Sequence, residues 1–190
     1  RNGYTIKNIN VSESSDRVTN GLFGIISGNG KVVMTALENF TYNSDNFVGY
    51  TGGIAGCLLP GATIENCYVI NSTINAPDDI VGGIVGLNMG NIANCYTLNI
   101  DITALQNLSG GICGDWSTTE STLSGMVKNC YTDHTLIGGA NDSGITGTTE
   151  NSSAAITTEA FAKGEIAFRL QKGNTTQVWG QDNNRNGAYP

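Results

Sequence analysis

Lysine and arginine are missing from the whole stretch between Lys31 and Lys128, where the charged residues are Glu38, Asp45, Glu65, Asp78, Asp79, Asp101, Asp115 and Glu120. Nucleic-acid binding rests on basic side chains that neutralise phosphates, so this absence excludes nucleic acid as a partner. Histidine is nearly absent as well. His134 is the only one, and there is no HExxH. A zinc site or a zinc-dependent peptidase needs several His or Cys residues at ligand spacing, which this chain does not supply. No apolar run approaches the roughly eighteen residues of a membrane-spanning helix, so the chain is not expected to cross a membrane that way. Initiator Met and signal peptide are lacking too, and we read the sequence as that of a mature or trimmed chain.

Charged residues reach only 13%, about half the usual share, yet 39% of the chain is apolar, which sets it apart from a disordered polymer. What is abundant is Gly, at 26 residues, with Asn, Ser and Thr. Gly and Asn supply backbone angles that other residues resist, and the composition suits many short strands joined by turns. A length of 190 residues allows one domain with a small appendage.

Aligning the chain on itself reveals a repeat. Gly-(Ile/Leu)-x-Gly occurs at 21–24, 53–56, 83–86, 111–114 and 144–147, with starts 32, 30, 28 and 33 residues apart. One such tetrapeptide carries no information; five at a near-constant period define a coil of about thirty residues. Between them lies apolar-x-Asn, whose Asn residues are Asn8, Asn39, Asn66, Asn94, Asn129 and, in a degraded copy, Asn151. Three copies extend to Asn-Cys-Tyr, ending at Tyr68, Tyr96 and Tyr131. The position before each Asn is Lys, Glu, Glu, Ala, Lys or Glu, which reads as a solvent-facing column. The apolar residue before that points inward, because strand side chains alternate.

The Asn column then marks a bend, since Asn tolerates the left-handed region better than any residue but Gly. Stacked about 4.8 Å apart, these amides can bond to one another in a ladder. After the bend Ile9, Phe40, Cys67, Cys95, Cys130 and Ser152 are expected to return to the core. Three short strands and three turns per coil make an all-β chain, a right-handed parallel β-helix (β-solenoid) of about five coils over residues 1–153. Gly53, Gly83 and Gly111 anchor its repeat. Helical repeats of similar length require Ala, Leu and Glu at 3.6-residue spacing, and the Gly-Gly pairs and β-branched residues here oppose them. Residues 154–190 differ in character: Thr157-Thr158-Glu159 opens an amphipathic helix with Ala160, Phe161, Ala167, Phe168 and Leu170, ended by Gly173. This segment is expected to form a small helical cap over the open end of the stack.

These residues resemble the GLUG motif, roughly Gly-Gly-(Leu/Ile)-Val-Gly-x-Asn followed by x-Ile-x-Asn-Cys-Tyr. The nearest copy is Gly82-Gly83-Ile84-Val85-Gly86-Leu87-Asn88 with Asn91-Ile92-Ala93-Asn94-Cys95-Tyr96. The resemblance covers residues 4 to 153. The segment with Phe161–Phe168, Val178-Trp179-Gly180-Gln181 and Tyr189-Pro190 is similar to one that often trails such repeats in Bacteroidetes surface proteins. The family implies a bacterial secreted or cell-surface, adhesin-like protein, and its repeats also occur as accessory parts of immunoglobulin A metallopeptidases.

Several constellations bear on chemistry. Cys67, Cys95 and Cys130 share a column and are expected to be buried thiols, since buried Cys behaves as a small hydrophobe. Cys57 and Cys113 fall two coils, roughly 10 Å, apart, too far for a disulfide. Glu38 and Glu65 on adjacent coils would stand about 5 Å apart, a spacing that suits a retaining glycosidase, but Lys7, Ala93 and Lys128 share their column and make it an ordinary solvated stripe. No catalytic set and no resident metal follow. Asp78-Asp79 and Asn141-Asp142 sit in turns where a Ca²⁺ ion could gather oxygen ligands, although turn chemistry alone also selects these residues. The seven Asn-x-Ser/Thr sequons are read as a by-product of composition. The coil from Asn94 to Asn129 is lengthened to 35 residues by the loop after Asp115, and solenoids place function in loops that vary. Trp116 and Asp115 are therefore the candidate ligand-binding residues, Trp116 as a stacking platform, the alternative being that its ring folds down to cover the coil edge. The expected role is a non-catalytic interaction module presenting one solenoid face to a host or microbial surface glycan or protein. The alternative is a structural spacer within a larger secreted enzyme.

Overall fold

The computed structural model describes residues 4–13, 18–44, 48–105, 108–115, 125–134, 148–150, 154–172 and 174–180. It is a parallel β-solenoid of four full turns and a fifth whose first and last strands are described. The third turn shows the route. Tyr68–Ala76 lies in an eight-stranded sheet, Ile80–Gly82 and Val85–Asn88 in two four-stranded sheets, and Asn91–Ala93 in a five-stranded sheet, before Tyr96–Ala104 opens the next turn. Each turn thus visits four sheets where the sequence reading allots three strands. The extra corner is hidden in the glycine motif, which reverses the chain within two residues. At Gly83 a Cβ would lie 2.2 Å from the carbonyl oxygen of Gly111, and at Gly86 it would lie 2.6 Å from the amide of Thr51. The two four-stranded sheets approach so closely that only hydrogen fits there.

The six Asn residues do not form one column. Ile6 pairs with Leu37, and Leu37 with Val69, which puts Asn8 and Asn39 in register with Asn71 and Asn99. Asn66, Asn94 and Asn129 occupy a different corner, whose member one turn earlier is Met34. All eight of these residues have positive φ, from 51° to 59°. The ladder itself is real. Asn39 donates to Asn8 at 3.0 Å, Asn99 to Asn71 at 2.8 Å and Asn129 to Asn94 at 2.7 Å. Asn151, Ser152 and the glycine copy at 144–147 lie outside the described residues. Apolar-x-Asn describes two different corners, so a self-alignment merges them.

The split also divides the supposed solvent stripe. Lys7 and Glu38 precede one bend and are in register with Ile70 and Leu98, while Glu65, Ala93 and Lys128 precede the other and align with Val33. Glu38 and Glu65 are therefore not stacked neighbours. Glu38 is buried at 6% exposure, held by the ammonium of Lys7 at 2.6 Å and the hydroxyl of Tyr68 at 2.9 Å. The inward column before the fourth corner, Ile64, Ile92 and Val127, is fully buried, as are Cys67, Cys95 and Cys130 after it. All five cysteines are free thiols. Ile9 and Phe40 also pack on the core, at the other bend, where Ser72 follows Asn71 and bonds the amide of Phe40 at 3.1 Å.

The C-terminal segment begins with Ala154–Ala155, which pairs with Tyr131–Thr132, and continues as two short helices, α1 (Thr158–Ala162) and α2 (Glu165–Gln171). Gly164, at φ 77°, breaks what the sequence suggests is one helix. The break turns Phe168 to solvent, at 73% exposure, and Ile166 inward. The sequence reading places this cap over the open end. The residues it buries instead run along the outer flank of the eight-stranded sheet, where Phe161, Ile166, Leu170 and Trp179 pack on Tyr68, Tyr96 and Tyr131.

Candidate functional site

Strand alternation builds the flank. The Asn66 bend sends Cys67 inward and Tyr68 outward, and the same happens at Cys95-Tyr96 and Cys130-Tyr131, giving an outward column of tyrosines. The rings of Tyr68 and Tyr96 stack with centroids 5.0 Å apart. Three adjacent aromatic rings on one face need cover, and the C-terminal strap supplies it: Phe161 meets Tyr96 at 5.6 Å, and Trp179 meets Tyr96 edge-on at 5.5 Å. Burial pushes the Tyr131 hydroxyl up, although the Arg169 guanidinium opposes the shift.

Gln171 fixes the return of the tail. Its Oε1 accepts from the amides of Val178 and Trp179 at 2.8 and 2.9 Å, and its Nε2 donates to the carbonyl of Thr176 at 2.8 Å. The strap runs from the fifth turn back toward the first. Below Tyr68, however, the outward column shrinks to Ala36 and Thr5. The small side chains leave a gap under the end of the strap. It is a cavity of about 280 Å³ whose walls include Tyr4, Met34, Asn66, Tyr68, Gln177 and Trp179.

Every residue lining this cavity is uncharged. Its polar centre is Asn66, whose Oδ1 accepts from the indole Nε1 of Trp179 at 3.3 Å. The Nδ2 of Asn66 donates to nothing among the described residues. Its ladder mates are all engaged, each toward the preceding turn: Asn129 donates to Asn94, and Asn94 to the carboxylate of Glu65 at 3.4 Å. The acceptor that Asn66 would need lies where the chain carries Met34, which is 42% exposed. Tyr4, also part of the lining, is 80% exposed.

The residues singled out from the sequence fall elsewhere. Asp115 ends the strand Cys113–Asp115, in register with Leu87, and is 9% exposed. Its charge helps push the hydroxyl of Tyr50 up, behind the larger effect of burial. Trp116 and the loop that follows it lie outside the described residues. Asp79, one half of the proposed Ca²⁺ turn, is 2% exposed and accepts from the hydroxyl of Thr51 at 2.6 Å. Burial raises its carboxyl against that bond. Among the described residues no three His, Cys, Asp or Glu side chains converge as metal ligands; Asn141-Asp142 is outside them. No helix among them is long and apolar enough to cross a membrane. Gly53, Gly83 and Gly111 do stand at one repeated corner, each against the backbone or a side chain of the next turn.

Sequence reasoning missed Tyr4, Met34, Gln171 and Trp179 as parts of one place. A visible signal existed: the Asn66 column has Met, not Asn, one turn earlier. Placing Asn39 in that column concealed the gap. Compared with protein-family models, curated proteins and solved structures, the chain matches none.

Proposed function

We propose that this solenoid is a non-catalytic interaction module of a secreted or surface protein, and that it recognises its partner at the cleft between the strap and the first two turns. The observation that carries the reading is the cavity itself. It combines aromatic walls, an unengaged amide donor and an uncharged lining, the ingredients of orientation and specificity in a binding site. The resemblance to GLUG repeats supports the adhesin-like setting, with a glycan or a protein as partner. A second reading, a structural spacer, draws on the first turn, where Phe23, Ile25 and Val33 are 44%, 55% and 43% exposed on strands paired on one side only. The test is surface plasmon resonance of the folded chain against mucin and an array of neutral and acidic glycans. Saturable binding, with the glycans recovered chemically unchanged, is the expected result. Silence from a chain shown folded by circular dichroism would leave the spacer reading, and conversion of a glycan would overturn the non-catalytic one.

A further inference from the structure

We infer that the cleft takes a neutral sugar ring, one hydroxyl of which accepts the bond that Asn66 cannot make within the protein; this rests on the binding reading above. At Asn39, Asn94, Asn99 and Asn129 the side-chain amide donates to an oxygen on the preceding turn. Asn66 is held in the same left-handed backbone, φ 56°, with its oxygen engaged by Trp179, but it faces Met34 and has no oxygen to reach. A ligand atom in the cavity completes the pattern.

The rest of the lining selects the class. An ionic ligand would surrender hydration without a counter-charge, because the nearby Lys7 and Glu38 already pair with each other at 2.6 Å. A wholly apolar ligand would cover the Asn66 amide and leave its donor unsatisfied. A sugar ring answers both demands. Its C–H face lies against an aromatic side chain such as Tyr4 or Tyr68, and its hydroxyls, donors and acceptors at once, meet Asn66 on the solenoid side and Gln177 on the strap side. An amide-bearing peptide side chain could use Asn66 but would present no hydroxyl rim to the groups arranged around the cavity.

The experiment is an NMR titration of the labelled chain with methyl glycosides of glucose, galactose and N-acetylgalactosamine, against sialic acid and an N-acetyl-glutamine amide. It is repeated with Tyr4→Ala and Asn66→Asp. Tyr4 is exposed, so its loss leaves the fold intact. Asp at 66 keeps the shape, the left-handed tolerance and an acceptor for Trp179, while replacing the donor with a carboxylate that brings a negative charge into the uncharged lining. The expected result is a shift of the Asn66 side-chain amide by a neutral glycoside, with affinity falling about tenfold or more in each variant while both remain folded by circular dichroism. If the glutamine amide alone moves these signals, the sugar class is overturned and the cleft stands. If glycosides bind but move signals around the loop after Asp115 instead, this site is overturned while the recognition reading survives. If no probe binds and the arrayed glycans and mucin are silent as well, both fall.

Discussion

Asn129 donates its side-chain amide to Oδ1 of Asn94, one turn earlier, at 2.7 Å, and both residues are held at positive φ near 51°. The backbone and the side chain therefore ask for the same residue. Asn tolerates the left-handed bend and spans the distance between turns. Asn94 is also linked onward to Glu65.

Replacing Asn94 separates the two contributions. Asn94→Gly keeps the bend and loses the ladder, at a cost of about 1 kcal/mol; Asn94→Leu adds left-handed strain, for a total of about 1–3 kcal/mol. Urea denaturation of the two variants measures the difference. Equal losses would show that the ladder alone matters, and no loss in either would remove it.

How much of this was legible in the sequence follows from the same residues. Period, parallel stacking and buried Cys column were all readable, because a thirty-residue repeat with alternating burial has few other physical realisations. The division of Asn into two corners was not. Ile6-Lys7-Asn8 and Ile64-Glu65-Asn66 are alike as local sequence, and only the register of neighbouring turns tells them apart. The cleft was hidden for a related reason. It joins Tyr4 and Trp179, 175 residues apart, through a strap whose position depends on which face carries the tyrosines.

Glycines here divide by surroundings, not by conformation. At Gly86 an added Cβ would sit 2.6 Å from the Thr51 amide, whereas at Gly28, with φ 59°, nothing lies within 4 Å. Gly86→Ala must push two sheets apart and is expected to cost more than about 3 kcal/mol, or to prevent folding. Gly28→Ala bears only left-handed strain, about 1 kcal/mol. Soluble yield and thermal melting of the pair check this; comparable melting temperatures would refute the close-packed corner.

Three of the buried thiols, Cys57, Cys95 and Cys113, give a pH dependence with a definite sign. Burial pushes Cys57 up to about 11 from an ordinary 9, and raises Cys95 and Cys113 as well. At these three the folded chain holds protons that the unfolded chain releases, whereas the hydrogen bond with Cys95 holds Cys67 down and acts in the opposite sense. Stability from this source is complete below pH 9 and is lost as pH rises through 11. Urea midpoints should fall between pH 9 and pH 11, and Cys57→Ser should flatten part of that fall. Native alkylation at pH 8 should be slow at all five cysteines, and denaturation without reductant should expose all five to labelling. Recovery of a Cys67–Cys95 disulfide peptide would contradict the thiol assignment.

Met34→Asn ties the ladder to the cleft. Met34 sits at φ 51° with no local reason to be there: a long unbranched side chain is strained in that region, and the position one turn later is Asn66. Asn at 34 would relieve the strain and supply the missing oxygen to Asn66, completing the column from 34 to 129. Stability should rise by about 0.5–2 kcal/mol. The same change should weaken binding in the cleft, because the donor kept free for a ligand would be engaged by the protein. Thermal melting and a methyl-glycoside titration on one preparation measure both effects. Higher stability with undiminished binding would mean that Asn66 holds the ladder and not the ligand. Lower stability would mean that the Met34 side chain contributes packing greater than the strain it carries.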